Sequence, residues 1–283
     1  MIDKDKLILH PKTRQQLSGF IKNPIHSLII SGDSYSGKKT LAYHIIGSLL
    51  EINETKKITA DKLLWQKPIN KQLTIDQVRL AKNFAKVKQN DTSPRRFIVF
   101  EDAGSMAEPA QNALLKVLEE PPAGVIIILL VQNELSLRPT IRSRARSLRI
   151  LKPDIQTVKS YLDHSEIDKL YSISEGRIGL LTKLINQKGE ETSLGEAKSY
   201  LTMTILDRLI KNSSMDDRAT AIKLISDIQI IARAGMMGSI NNNQIESAKS
   251  WLTRYKNCMR CQQYIKENAN IKLSLDWLAV KLV

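Results

Sequence analysis

Cysteine is nearly absent: two of 283 residues, Cys258 and Cys261, in the run Cys-Met-Arg-Cys. Two thiols cannot build a disulfide framework, and a single such pair lacks the second pair that a tetrahedral zinc site needs. No metal site is expected, and the pair reads as two ordinary thiols on adjacent turns of a helix. Aromatic residues make up only 5% of the chain against 42% hydrophobic residues, so the core must rest on Leu, Ile, Val and Ala, which suits packed helices. There is no run of about eighteen apolar residues. The first residues, MIDKDKLILHPK, contain no apolar signal-peptide region. A membrane partner is therefore not expected, and a soluble cytoplasmic protein is. Acidic residues are in deficit, 29 against 43 basic ones, giving a formal charge of +14. Such a surface attracts polyanions, nucleic acid ahead of membrane, although the basic residues are spread along the chain and a lysine-rich proteome would give the same excess.

A chain of this length fits two or three units. Residues Ser27 to Ile30 read as a strand, followed by the polar turn Gly32-Asp33-Ser34-Tyr35-Ser36-Gly37 and a helix opened by Lys38 with Leu41, Ile45, Ile46 and Leu49 inward. Ile75, Val78, Ala81, Phe84 and Val87 mark a second helix capped by Thr74. A strand over 96–100 ends on Glu101-Asp102. A helix over 108–119 is stopped by Pro121-Pro122, and the run Val125 to Val131 has the length and branching of a buried strand. Short helical material near 137–144 leads to a last strand near 148–151. Strands alternating with helices predict a parallel α/β sheet. Beyond Pro153 strand signals stop: short helices fit 154–187 with Gly176 and Gly179 as punctuation, a polar hinge fits 188–193, and long helical patterns broken at 212–214 and 241–243 fill the remainder. No repeat of about 20–50 residues is present.

The turn Gly32 to Lys38 has the spacing of a phosphate-binding loop, in which glycines let backbone N–H groups converge on phosphate at a helix N-terminus while the lysine neutralises charge. The next position requires Ser or Thr to hold Mg²⁺, yet Lys39 stands there and Thr40 comes one residue late. Either nucleotide binding survives this change or the loop is kept for its tight turn alone. Glu101-Asp102 is the expected second element, where one carboxylate orients Mg²⁺ and the next polarises water, but the usual Asp-Glu order is inverted. An acidic strand end that merely caps a turn fits equally. Candidate nucleotide-binding residues are thus Gly32, Gly37, Lys38, Thr40, Glu101 and Asp102.

The runs Glu101 to Met106, Gln111-Asn112-Ala113-Leu114-Leu115-Lys116-Val117-Leu118-Glu119-Glu120-Pro121-Pro122 and Pro139-Thr140-Ile141-Arg142-Ser143-Arg144 closely resemble bacterial DNA polymerase III clamp-loader subunits. Leu9 to Arg14, Thr74 to Arg79 and Asn268 to Leu273 extend the resemblance nearly end to end. It implies an AAA+ fold: an α/β P-loop module over 1–152, a small helical lid over 153–190, and an all-α collar domain over 191–283 that joins subunits into a ring.

Within that family, gamma/tau-type motor subunits carry an intact GKT or GKS, an Asp-Glu pair and a lid arginine. This chain has Lys39, Glu101-Asp102, and Gly179 where the arginine would align, with Arg177 two residues early. Such losses resemble the delta-prime type. The resemblance then implies a non-hydrolysing subunit of the DNA polymerase III holoenzyme. It would supply Arg144 as a trans arginine finger to a neighbouring ATPase, and help place a sliding clamp on primer-template DNA without reading its sequence. The implied partners are gamma/tau-type and delta subunits and the clamp. No cofactor is required, with ATP left open. The zinc cysteines of many delta-prime subunits are missing, since residues 50 to 95 contain no Cys, and the family's Ser-Arg-Cys ends here in Ala145. The rival expectations are an ATP-hydrolysing gamma/tau-type motor and a free-standing AAA+ nucleic-acid binder.

Overall fold

The computed structural model describes residues 7–51, 58–86, 95–186 and 193–282. These divide into two compact units, Met1–Tyr171 with Glu175–Thr182, and Ser172–Ser174 with Lys183–Val283.

The first unit is built on five parallel strands, β1 (Ser27–Ser31), β2 (Leu63–Gln66), β3 (Arg96–Phe100), β4 (Val125–Val131) and β5 (Arg146–Arg149), in the order β2-β3-β4-β1-β5. β1, β3 and β4 are buried along their whole length. Both of their faces are covered, so their sequences run apolar without alternation. One face, carrying Ile29, Ile98, Phe100, Ile127 and Leu129, packs on α3 (Ile75–Lys86) and α4 (Glu108–Glu119) through Val78, Ala81, Ala110 and Leu114. The opposite face, carrying Leu28, Ile30, Phe97, Val99, Ile128 and Leu130, packs on α1 (Pro11–Lys22) and α2 (Lys38–Leu50) through Phe20, Leu41, Ile45 and Ile46. α3 opens with a reciprocal cap: Gln77 N donates to Thr74 Oγ1 and Thr74 N to Gln77 Oε1. Its expected last residue, Val87, lies outside the described residues.

Two elements were not expected from the sequence. α1 starts at Pro11 with His10 as N-cap, whose Nδ1 accepts from Lys12 N at 3.1 Å. β2 is a four-residue edge strand. The last strand also begins earlier than expected, at Arg146 in place of residue 148, and ends at Arg149. Its side chains are exposed except Leu148, so the arginines on this edge strand masked the pattern. Short helices follow: α5 (Pro139–Arg142) precedes β5, and α6 (Ile155–Lys159), α7 (Ile167–Ser174) and α8 (Ile178–Asn186) come after it. Gly176, with φ 71°, does separate α7 from α8, but Gly179 lies inside the first turn of α8 and breaks nothing.

The second unit is all-helical: α9 (Ser193–Thr202), α10 (Ile205–Ser213), α11 (Arg218–Asn241), α12 (Ile245–Lys266) and α13 (Ile271–Lys281). The helix breaks expected at 212–214 and 241–243 fall there, whereas those between α9 and α10 and between α12 and α13 were not expected; residues 188–192 of the expected hinge lie outside the described residues. The core joins Tyr200, Ile225, Ile228, Leu275 and Leu278 with Cys258 and Cys261. Both thiols are fully buried and desolvation pushes their pKa up to about 12, so they stay neutral and unreactive.

Candidate functional site

β1 delivers the chain at Gly32 to the carboxyl edge of the sheet, where open α/β sheets bind ligands. A Cβ at Gly32 would lie 2.8 Å from Ser36 Oγ and 3.2 Å from Ile150 Cβ. Gly37 has open space around it, but its φ of 92° as N-cap of α2 favours glycine. The loop thus has the shape its spacing predicts, but its cradle is filled from within. Lys38 Nζ donates to Gly32 O at 2.6 Å and Asp33 O at 2.8 Å. Burial pushes the pKa of Lys38 down, against the opposing fields of Asp33 and Asp102.

Lys39 Nζ stands 2.5 Å from Glu101 Oε1, and Trp65 Nε1 donates to Glu101 Oε2 at 3.1 Å. Both oxygens of the carboxylate at the end of β3 are therefore engaged, one of them by an ammonium in the place where a phosphate loop keeps its Mg²⁺ ligand. Trp65 is itself held by stacking on Tyr43 of α2, ring centroids 4.6 Å apart. Thr40 is exposed on the first turn of α2, and Asp102, with φ 54°, opens a 3-10 turn. This donor set does not fit a Mg²⁺–nucleotide: a cation at Glu101 would have to displace the side chain of Lys39.

The first turn of α8 closes the loop from above. Gly179 N donates to Tyr35 O at 2.8 Å, and a Cβ at Gly179 would fall 2.6 Å from that same oxygen. No side chain, arginine included, fits there without moving the loop backbone, which Tyr35 already holds at φ 62°. Lys152 bridges Asp33 at 3.2 Å and Glu175 at 3.8 Å, and Arg177 lies 3.9 Å from Glu175. The space left among Asp33, Ser36, Lys152, Arg177 and Ile178 is about 20 Å³. That volume holds roughly one water, whereas ligand sites span about 300–1,000 Å³.

Arg144 sits apart from this crevice, between α5 and β5. Its NH1 donates to Thr140 O at 3.0 Å, and its NH2 is 3.1 Å from Glu119 Oε1 at the end of α4. Ser27 Oγ donates to Arg144 O at 2.5 Å, which fixes the backbone there while the guanidinium stays accessible. Gly32, Gly37, Lys38, Glu101 and Asp102 are thus brought together around the loop, Thr40 beside them. Trp65, Tyr35, Lys152 and Glu119 were not anticipated as partners. Their sole sequence signal was position, as Glu119 stands in the LEEPP run and Tyr35 in the loop.

The family model described as DNA polymerase III, delta subunit, matches residues 10–154, just over half of the chain. The chain belongs to this family of clamp-loader subunits. The DNA polymerase III subunit delta' of Pseudomonas aeruginosa is 30% identical over 135 residues, covering 42% of this chain and 41% of that protein. A probable replication factor C subunit 5 of Caenorhabditis elegans is 24% identical over 189 residues, covering 62% and 50%. The matched stretch thus spans half or less of these curated relatives. The crystal structure of a DNA polymerase III gamma subunit-related protein from Thermotoga maritima superposes with a TM-score of 0.58 at 21% identity, covering 94% of this chain and 98% of that one. That likeness gives the fold: an AAA+ α/β module with an all-helical C-terminal region. Among the described residues no helix is long and apolar enough to cross a membrane.

Proposed function

We propose that this clamp-loader subunit is of the delta-prime type: a non-hydrolysing member of a ring with gamma/tau-type and delta subunits that helps place a sliding clamp on primed DNA. Residues 1–152 would act as the α/β module, 153–190 as the lid and 191–283 as the collar. The observation that carries this reading is the Lys39–Glu101 ion pair. It puts an ammonium where a motor subunit needs a metal, so the chain's own site is built to be stable without nucleotide. Catalysis would then take place at a neighbour's nucleotide, toward which Arg144 presents a permanently charged, planar donor fork. DNA contact would follow from the +14 charge and be salt-sensitive and indifferent to sequence.

The test is a fluorescence titration of the isolated chain with labelled ATP and Mg²⁺. No saturable binding and no turnover are expected. Lys39→Thr alone should not restore either, because Gly179 N–H still holds Tyr35 O and Lys38 still caps two loop carbonyls. Tight binding with steady hydrolysis by the unaltered chain would favour the gamma/tau-type motor.

Assembly through the collar makes a second expectation. α10 exposes Leu206 and Ile210, four apart on one helical face, and α13 exposes Leu273 and Val280. Leu206→Asp with Ile210→Asp should leave the circular-dichroism spectrum unchanged, since neither side chain is in the core, yet abolish co-elution with the gamma/tau-type partner on gel filtration. Unimpaired co-elution would remove this face from the assembly.

A further inference from the structure

The guanidinium that the proposed function sends to a neighbour is already engaged inside this chain. Arg144 NH2 lies 3.1 Å from Glu119 Oε1, and NH1 is tied to Thr140 O at 3.0 Å. Glu119 is the last residue of α4, where the unpaired carbonyls of a helix make a carboxylate unfavourable unless a cation stands beside it. Arg144 is the cation in contact with it, and Lys116 adds a second positive charge in the same last turn. The pair is exposed enough to exchange, with relative side-chain accessibilities of 38% for Arg144 and 49% for Glu119. With Glu119 beside it, one of the N–H donors of Arg144 is already taken and its charge is partly neutralised, so a phosphate on a neighbouring subunit gains less from Arg144 while this pair is intact.

Resting on the finger reading of Arg144, we propose that Glu119 is a positioning residue that holds Arg144 back until a neighbour's phosphates compete for it. A carboxylate carries one negative charge, whereas the terminal phosphoryl group carries more, spread over three oxygens in the transition state while charge develops on the leaving oxygen. The exchange therefore favours the phosphate once the subunits close and favours Glu119 while they are apart. Glu119 sharpens the difference between the open and the closed ring and contributes nothing to the chemistry itself.

The experiment uses the reconstituted loader and measures ATPase without clamp or DNA and again with both, for Glu119→Gln, Glu119→Asp, Arg144→Ala and the Glu119→Gln/Arg144→Ala pair. Glu119→Gln should raise the basal rate about two- to five-fold, the factor that the strength of an exposed ion pair allows, and leave the stimulated rate unchanged. Glu119→Asp, which keeps the charge one methylene shorter, should lie between the two. The double variant should match Arg144→Ala. A basal rate that Glu119→Gln leaves unchanged or lowers, in a complex that still assembles, overturns the proposal. So does a rise that persists when Arg144 is also removed. If Arg144→Ala alone leaves both rates intact, it is the finger reading that falls, and this proposal with it.

Discussion

If Arg144 acts as the proposed trans finger, replacing it by alanine is expected to lower single-turnover ATP hydrolysis at the neighbouring site by about 10³-fold or more, the lower end of what trans arginines contribute in comparable phosphoryl transfers. The loss should appear in kcat with assembly preserved on gel filtration. The guanidinium is surface-exposed, and its contacts to Thr140 O and Glu119 are of the kind that adds little to folding. The backbone at this position is held separately, by Ser27 Oγ on the carbonyl of residue 144, so truncating the side chain leaves the strand start in place. Arg144→Lys should recover little of the rate, because an ammonium supplies a point charge and not the forked, planar pair of donors. Unchanged hydrolysis and clamp loading by Arg144→Ala in an intact complex would remove this residue from the mechanism.

The second large effect concerns the helical unit. Arg208→Met is expected to destabilise it by about 3–5 kcal/mol, a large part of the stability of an ordinary domain. Arg208 is only 4% accessible and its three nitrogens donate to Tyr200 O (2.9 Å), Ala279 O (3.0 Å) and Leu201 O (2.7 Å). Tyr200 and Leu201 lie in the last turn of α9 and Ala279 in the last turn of α13, where carbonyls have no partner within the helix. One guanidinium therefore closes two helix ends. The same place holds a chain of bonds from Tyr200 Oη to Asn212 and on to Asp276, and burial pushes the Tyr200 pKa up to about 12, so the phenol remains a donor. Methionine matches the length but leaves three buried acceptors bare, each costing about 1–3 kcal/mol. Urea denaturation followed by circular dichroism measures the difference; a loss below about 1 kcal/mol would mean that water or a backbone shift satisfies the carbonyls.

How far the sequence could be read follows from which signals are local. β1, β3 and β4 were legible because strands covered on both faces are apolar without interruption. β2 was not, being four residues on a sheet edge with most of its side chains only half-buried. β5 was misplaced by two residues because its exposed arginines break the apolar signal. α1 went unread as a helix since histidine, its cap, is not among the residues that usually announce one. At the site, Lys39 in place of a metal-holding hydroxyl could be seen directly, and so could the inverted Glu101-Asp102. That these two departures answer each other could not, because their contact depends on strand order: β4 lies between β1 and β3. The meaning of Gly179 was half legible. The missing arginine was visible in the sequence, whereas the reason none fits, a loop carbonyl 2.6 Å from its Cβ position, exists only in three dimensions.

The filled phosphate loop also bears on which mutational paths lie open to this gene. Exchanging Lys39 for threonine leaves Glu101 without its cation; placing arginine at position 179 drives its Cβ into Tyr35 O; freeing Lys38 strips two loop carbonyls of their donor. Each step toward a working nucleotide site gives up a contact of the present loop, and arginine at 179 strains its backbone, before any step is rewarded. On the proposed non-hydrolysing reading, gaining an ATPase would thus require several changes at once, and drift by single substitutions works as a ratchet that turns only one way.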